Sequence, residues 1–169
     1  MTTSQYRSEV SQEGTGIVRV TRKFAAPRPM VWKAMTEPEL VKRWLVGPPG
    51  WSMPICEMDV RVGGTYRWWW VSDEDDQEFG FRGEYHEVEA PERLVNTEYF
   101  EQGNTDESMG DGSHVTLTLT EQDGVTTAVT VMDFHTAQAR ADALATGMTE
   151  GMEMSYQLLD NMLEEQKKG

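Results

Sequence analysis

A chain of 169 residues suits one domain with one core, and its 38% apolar content, with six Trp, five Tyr, five Phe and eleven Met, argues against disorder throughout. The formal charge of -14 excludes partners held by clustered Lys and Arg, nucleic acid first among them. A single cysteine, Cys56, rules out an intrachain disulfide and is expected to be a buried, inert thiol in Pro54-Ile55-Cys56.

Residues 1–14 are polar, without the apolar stretch of a signal peptide, and read as a flexible leader. No run of 18 apolar residues exists to span a bilayer, so no membrane insertion is expected and the location is read as cytoplasmic. Ile17 to Phe24 alternates with Val18, Val20 and Phe24 on one face, which predicts a first strand stopped by Pro27 and Pro29. Met30 to Met35 has helical spacing. Thr36-Glu37-Pro38-Glu39 then reads as a capping box with Thr36 as N-cap, opening a second short helix to about Trp44. Gly47-Pro48-Pro49-Gly50 ends it.

Strand and turn signals follow. Ile55 to Val62 leads into Gly63-Gly64, a bulge or sharp turn, and then Thr65 to Val71 puts Tyr66, Trp68 and Trp70 on one face and Arg67 and Trp69 on the other. The acidic stretch Ser72 to Glu78 reads as a loop. Phe79 to Val88 and Leu94 to Phe100 read as strands around Ala90-Pro91-Glu92, and Glu101 to Gly112 as a mobile connection. For the next hairpin, two registers compete. A two-residue Asp123-Gly124 turn sets Leu119 against Ala128 and Leu117 against Thr130. A three-residue Gln122-Asp123-Gly124 loop sets Leu117 against Val129 and Val115 against Val131, and it is preferred because it separates an apolar face, carrying Asp133 at its far end, from a threonine face.

The last element is one helix from Thr136 or Ala137 to about Glu165. At 100° per residue, Met148, Gly151, Ser155, Leu158, Leu159 and Met162 share a face opposite Glu150, Glu153, Gln157, Asp160 and Glu164. Residues 15–166 therefore read as a single domain.

Within that order lie specific residues: Phe24-Ala25-Ala26-Pro27, Val31-Trp32-Lys33-Ala34-Met35-Thr36, Trp44, Gly63-Gly64-Thr65-Tyr66-Arg67, Gly83-Glu84-Tyr85, Pro91-Glu92-Arg93-Leu94-Val95, and Gly147-Met148 with Gly151-Met152. From Gly16 to Glu165 the chain resembles the START-like (SRPBCC) superfamily, and within it the domain shared with activators of the Hsp90 ATPase. The resemblance implies an α+β helix-grip fold: a curved antiparallel sheet of about six or seven strands, two short helices and one long C-terminal helix over a cavity that relatives use for apolar ligands. The eukaryotic activators also carry a separate N-terminal domain, for which 169 residues leave no room, so their activity is not carried over.

The candidate ligand-binding residues are Trp68, Trp70, Phe81, Tyr85, Met148, Gly151, Met152 and Ser155. The aromatic stripe offers apolar area and indole donors, and the small residues Gly147, Gly151 and Ser155 leave room beneath the helix or allow it to pack closely. Asp133 and His135, at alternate positions near a strand end, are candidates for acid–base work, as is Arg82. An ion pair among Arg67, Arg82 and Glu98, or an Arg holding a ligand carboxylate, is a further reading. His86 and His114 lack a partner set for a metal, and no phosphate or dinucleotide loop is present, so neither metal nor cofactor is expected. The leading expectation is a module that binds a small apolar or amphipathic molecule. The alternatives are a polyketide cyclase/dehydratase-like enzyme and a protein that contacts an Hsp90-type chaperone; a homodimer is left open.

Overall fold

A computed structural model describes residues 6–47, 49–102 and 112–168. In chain order the elements are β1 (Glu9–Glu13), β2 (Ile17–Phe24), α1 (Arg28–Thr36), α2 (Pro38–Trp44), β3 (Trp51–Met58), β4 (Thr65–Ser72), β5 (Glu78–Glu89), β6 (Arg93–Gln102), β7 (Ser113–Gln122), β8 (Val125–Asp133), α3 (Ala137–Ala145) and α4 (Met148–Lys168). The strands form one antiparallel sheet in the order β1-β2-β8-β7-β6-β5-β4-β3. The α+β helix-grip class is as expected, with eight strands rather than six or seven. The connection expected over Glu101 to Gly112 lies largely outside the described residues.

The additional strand is β1, inside the segment read as a leader. Glu9 to Glu13 pair with Ile17 to Thr21 across a turn at Gly14, whose φ of 54° is left-handed. Glu13 is fastened to Arg19, the guanidinium donating to both carboxylate oxygens at 2.6 and 3.1 Å. β3 begins earlier than its apolar run implied, at Trp51, and Pro54 is accommodated because β3 is an edge strand with a register shift between Ser52 and Ile55.

Thr36 is not an N-cap. It is the last residue of α1, where its hydroxyl donates to Trp32 O at 2.7 Å, while Glu37 precedes α2 without a side-chain cap and Pro38 takes the first turn, where no N–H is needed. Cys56 is half-buried, its thiol 3.8 Å from Pro38 O, and burial pushes its pKa up.

The β7–β8 hairpin adopts the two-residue register and not the preferred three-residue one. Asp123 (φ 53°) and Gly124 (φ 78°) are both left-handed, so the turn has two residues, and Leu119 pairs with Ala128, Leu117 with Thr130 and Val115 with Met132. Two consecutive positive φ values match the right-handed twist of the flanking strands, which favours the short turn over a bulged loop. Asp133 therefore points away from the face that carries Ala128 and Met132, with Val129 and Val131.

That inner face holds the core. Val18, Val20, Arg22 and Phe24 of β2 alternate inward, each no more than 1% exposed, and meet Leu119, Ala128 and Met132. α4 lies over β2 and β8: the Tyr156 ring meets Phe24 edge-on with centroids 5.3 Å apart, and Lys167 Nζ donates to Ala25 O at 2.8 Å. Burial of Tyr156, Leu159, Met162 and Leu163 contributes roughly 1.5 to 3 kcal/mol each.

The expected single terminal helix is two. Thr136 caps α3 by accepting from Ala139 N at 3.0 Å, and Gly147, at φ 82°, breaks the run before α4. The packed face of α4 is also turned from the one expected. Ser155, Tyr156, Leu159, Met162 and Leu163 are buried, whereas Gly151 and Leu158 lie exposed on one flank and Glu153 and Asp160 are drawn inward on the other. Among the described residues no helix is long and apolar enough to cross a membrane.

Candidate functional site

Register decides which side chains of β4, β5 and β6 share the inner face. Trp68 lies opposite Phe81, which lies opposite Phe100; Trp70 lies opposite Phe79; Tyr66 lies opposite Gly83, which lies opposite Glu98. The aromatic residues form one continuous surface. Trp70 stacks on Phe79 at 5.1 Å, Phe81 meets Phe100 at 5.4 Å, and Tyr66 lies 4.7 Å from Trp68 and 5.2 Å from Tyr85.

Coverage of this surface is uneven. Trp70 is 5% exposed and donates its indole N–H to Leu45 O at 2.8 Å, with the loop at Gly47 lying across it. Tyr85 is also fully packed, while Trp68, Phe79, Phe81 and Phe100 remain half-buried. The Trp68 indole N–H is shielded from solvent yet has no acceptor among the described residues, and each such donor costs about 1 to 3 kcal/mol when left unpaired.

Beside the rings lies a carboxyl, Glu98, with no ion pair among the described residues. Gly83 has no side chain, and a Cβ there would stand 2.6 Å from the Tyr66 ring, so the ring extends across β5 to β6. Its hydroxyl donates to Glu98 Oε1 at 2.8 Å and accepts from Asn96 Nδ2 at 2.8 Å. Burial pushes the Glu98 carboxyl up to about 7, against the bond from Tyr66, and it pushes the Tyr66 hydroxyl up as well.

The remaining candidates separate. Arg67 and Arg82 face the outer side of the sheet, over the Trp69 and Tyr99 rings respectively, and both approach Glu101, at 3.6 and 3.7 Å, not Glu98. Asp133 accepts from the His135 backbone N–H at 2.9 Å and shapes a turn in which His135 has φ 71°; both side chains are well exposed. Two strands separate Asp133 on β8 from Arg82 on β5, so the three proposed acid–base residues do not converge. His86 and His114 lie 6.4 Å apart, and among the described residues no group of His, Cys, Asp and Glu has the geometry to hold a metal.

On α4, Met148 and Met152 are half-buried against the core and Ser155 is buried. Gly151 is exposed, and a Cβ built there meets nothing within 4 Å, so close helix-to-sheet packing does not explain this glycine. The flank carrying Gly151 and Leu158 is turned away from β1 and β2.

Two residues carry more weight than their sequence context suggested. Arg22, 1% exposed, forms a bidentate pair with Glu153 (3.1 and 3.1 Å) and another with Asp160 (3.0 and 2.7 Å). Glu153 also accepts from the N–H and hydroxyl of Ser8 at 2.8 and 2.6 Å, tying the segment before β1 to α4. Burial works against the Glu153 carboxylate, but the bonds from Arg22 and Ser8 hold it down to about 2. The signal for Arg22 was its parity with Val20 and Phe24, and for Glu98 its parity with Asn96 and Phe100. Two hollows, of about 330 and 310 Å³, open between β1 and α4 and on the outer side at Arg67 and Arg82; neither is lined by the Trp and Phe side chains of the inner face.

Comparisons agree with this architecture. The family described as "Activator of Hsp90 ATPase homolog 1-like protein" matches residues 25–164. A crystal structure of a Rhodobacter sphaeroides protein is 31% identical, with a TM-score of 0.83, and the match covers 94% of this chain and 98% of that one. A Mycobacterium smegmatis protein, 24% identical, has a TM-score of 0.82 over 95% and 99% of the two chains. An AHSA1-like protein from Aeromonas hydrophila, 20% identical, shares the fold with a TM-score of 0.65 over 86% and 94%. No curated protein matches the chain. With a family match over most of its length and a structural relative above 30% identity, the chain belongs to the AHSA1-like family of the START-like superfamily.

Proposed function

We propose that this domain binds a small apolar or amphipathic molecule against the inner face of β4, β5 and β6, beside α4. One observation carries the reading: Trp68, Phe79, Phe81 and Phe100 form a continuous aromatic surface that is only half-buried, although it adjoins the core of the protein. Aromatic side chains each offer 150 to 250 Å² of contact area, and a patch of them left partly open is a recognition surface more often than a packing remnant. Family membership supports the same reading at the level of the fold. Acid–base catalysis by Asp133, His135 and Arg82 draws no support, because the Asp133–His135 pair, 3.8 Å apart, is well exposed and two strands separate it from Arg82.

A neutral solvatochromic dye such as Nile red tests the proposal. Saturable binding with quenching of tryptophan emission is expected, weakened about tenfold by Phe81→Ala and by Phe100→Ala, since each removes one ring from the surface. Binding that neither substitution alters would refute it. Native mass spectrometry of freshly purified protein adds a direct view of any molecule retained.

A further inference from the structure

We propose that the ligand of this surface is an amphipathic amine or quaternary ammonium ion, whose head pairs with Glu98 and whose apolar part lies on Trp68, Phe81 and Phe100. The inference rests on the reading above and specifies its chemistry.

Glu98 is the acidic group of the aromatic half of the inner face, and no ion pair reaches it among the described residues. Tyr66 donates to it at 2.8 Å. A carboxylate offers about four acceptor positions, and among the described residues Tyr66 fills one of them. The arginines of the neighbouring strands, Arg67 and Arg82, are on the other side of the sheet and approach Glu101 instead. By contrast, Arg22 on the same face is matched by two carboxylates from α4. Where the helix covers the sheet, the charge of Arg22 is compensated; half-buried Glu98 has no such ion pair among the described residues.

The surroundings select the sign of the missing partner. Ring faces carry negative potential and attract organic cations within about 6 Å of their centroids. Phe100 is on the same strand two residues from Glu98, and Phe81 is 5.4 Å from Phe100. A carboxylate or sulfate head would meet like charge here, and it would first have to approach a chain of net charge -14, which favours cations at every distance. Burial already disfavours the charged form of Glu98, pushing it up to about 7, and a cation beside it offsets that cost. Tyr66 and Tyr85 are the titratable groups that face Glu98 from β4 and β5, and burial pushes both hydroxyls up, so neither supplies a competing charge near neutral pH.

Three probes of equal chain length separate the possibilities: octyltrimethylammonium, octyl glucoside and octanoate, titrated calorimetrically below their micellar concentrations. Salt at about 0.3 M shortens the Debye length below 10 Å and suppresses general attraction to the acidic surface. Wild-type protein is expected to bind the ammonium at least tenfold more tightly than the glucoside and to bind octanoate most weakly. Glu98→Gln should abolish the preference while keeping glucoside binding, whereas Glu84→Gln, which removes an exposed charge on the outer side, should preserve it. Equal affinity for the ammonium and the glucoside, or identical behaviour of the two variants, would overturn the inference and leave the apolar-ligand reading intact. Failure of all three probes to bind would overturn both.

Discussion

Arg22 and Glu98 project from the same face of the same sheet, with β8 and β7 between their strands, and they meet burial in opposite ways. Around Arg22 the helix α4 supplies two bidentate carboxylates, Ser8 completes one of them, and the group is sealed. Around Glu98 the chain supplies a phenol and a set of half-covered rings. The difference teaches that α4 divides the inner face in two: a half finished by the protein's own residues and a half whose polar and apolar valences remain open. The first behaves as structure and the second is the surface proposed as a site, though both are built from alternating positions of adjacent strands.

The largest effect expected on this contrast comes from Arg22→Met. Loss of the cation leaves Glu153 and Asp160 facing each other at 19% and 12% exposure, and the cost should be about 3 kcal/mol in denaturant unfolding at pH 7. Glu98→Gln should do the reverse. The folded-state pKa, about 7, lies above the ordinary 4.5, so the native state binds this proton more tightly than the unfolded chain, and stability falls as pH rises from 4.5 through 7. The amide removes that penalty: a gain of about 2 kcal/mol is expected at pH 8 and none at pH 4, read from paired melts.

Glu153→Gln tests the opposite sign. Its folded-state pKa is near 2, below 4.5, so its contribution is fully present above 4.5 and fades as pH falls toward 2. The variant should lose about 1 kcal/mol at pH 7 and have a flatter acid limb than wild type. The smallest effect is expected at Gly151, where a methyl group meets nothing: Gly151→Ala should stabilise the domain by about 0.5 kcal/mol through helix propensity. If the same change lowered affinity for the dye, the open flank of α4 would belong to the site.

Much of the fold was legible because strong alternation leaves little choice. Tyr66, Trp68 and Trp70 fall on one face of β4 whatever the neighbours do, and Thr136 opens α3 as its chemistry implies. Errors arose where two local devices competed. Thr36 has the chemistry of a cap but completes the preceding helix, and a longer loop at Asp123-Gly124 would keep threonine off the inner face, whereas Thr126 is buried there with its hydroxyl donating to Ala26 O at 2.7 Å. The site was half legible. Its rings announce themselves through size, but the sequence pairs Glu98 with Arg67 and Arg82 and gives Arg22 no role, since period-two patterns are scanned for apolar members and a charge at an inward position is discounted. Glu153 and Asp160 were likewise assigned to a solvated stripe, because a helical wheel cannot say how far the packed arc turns until a partner such as Arg22 draws it round.

The tip at Asp123-Gly124 acts as a gauge for the whole sandwich of rings and methyl groups beneath α4. One amino acid inserted there would slide β8 by a single step relative to β7, and every side chain of β8 would change sides. Val129 and Val131 would go indoors, Ala128 and Met132 would go out to water, and the strand that carries Arg22's row would lose its mate. The spelling of two adjacent residues at a surface bend thus governs which chemistry the interior of this protein possesses.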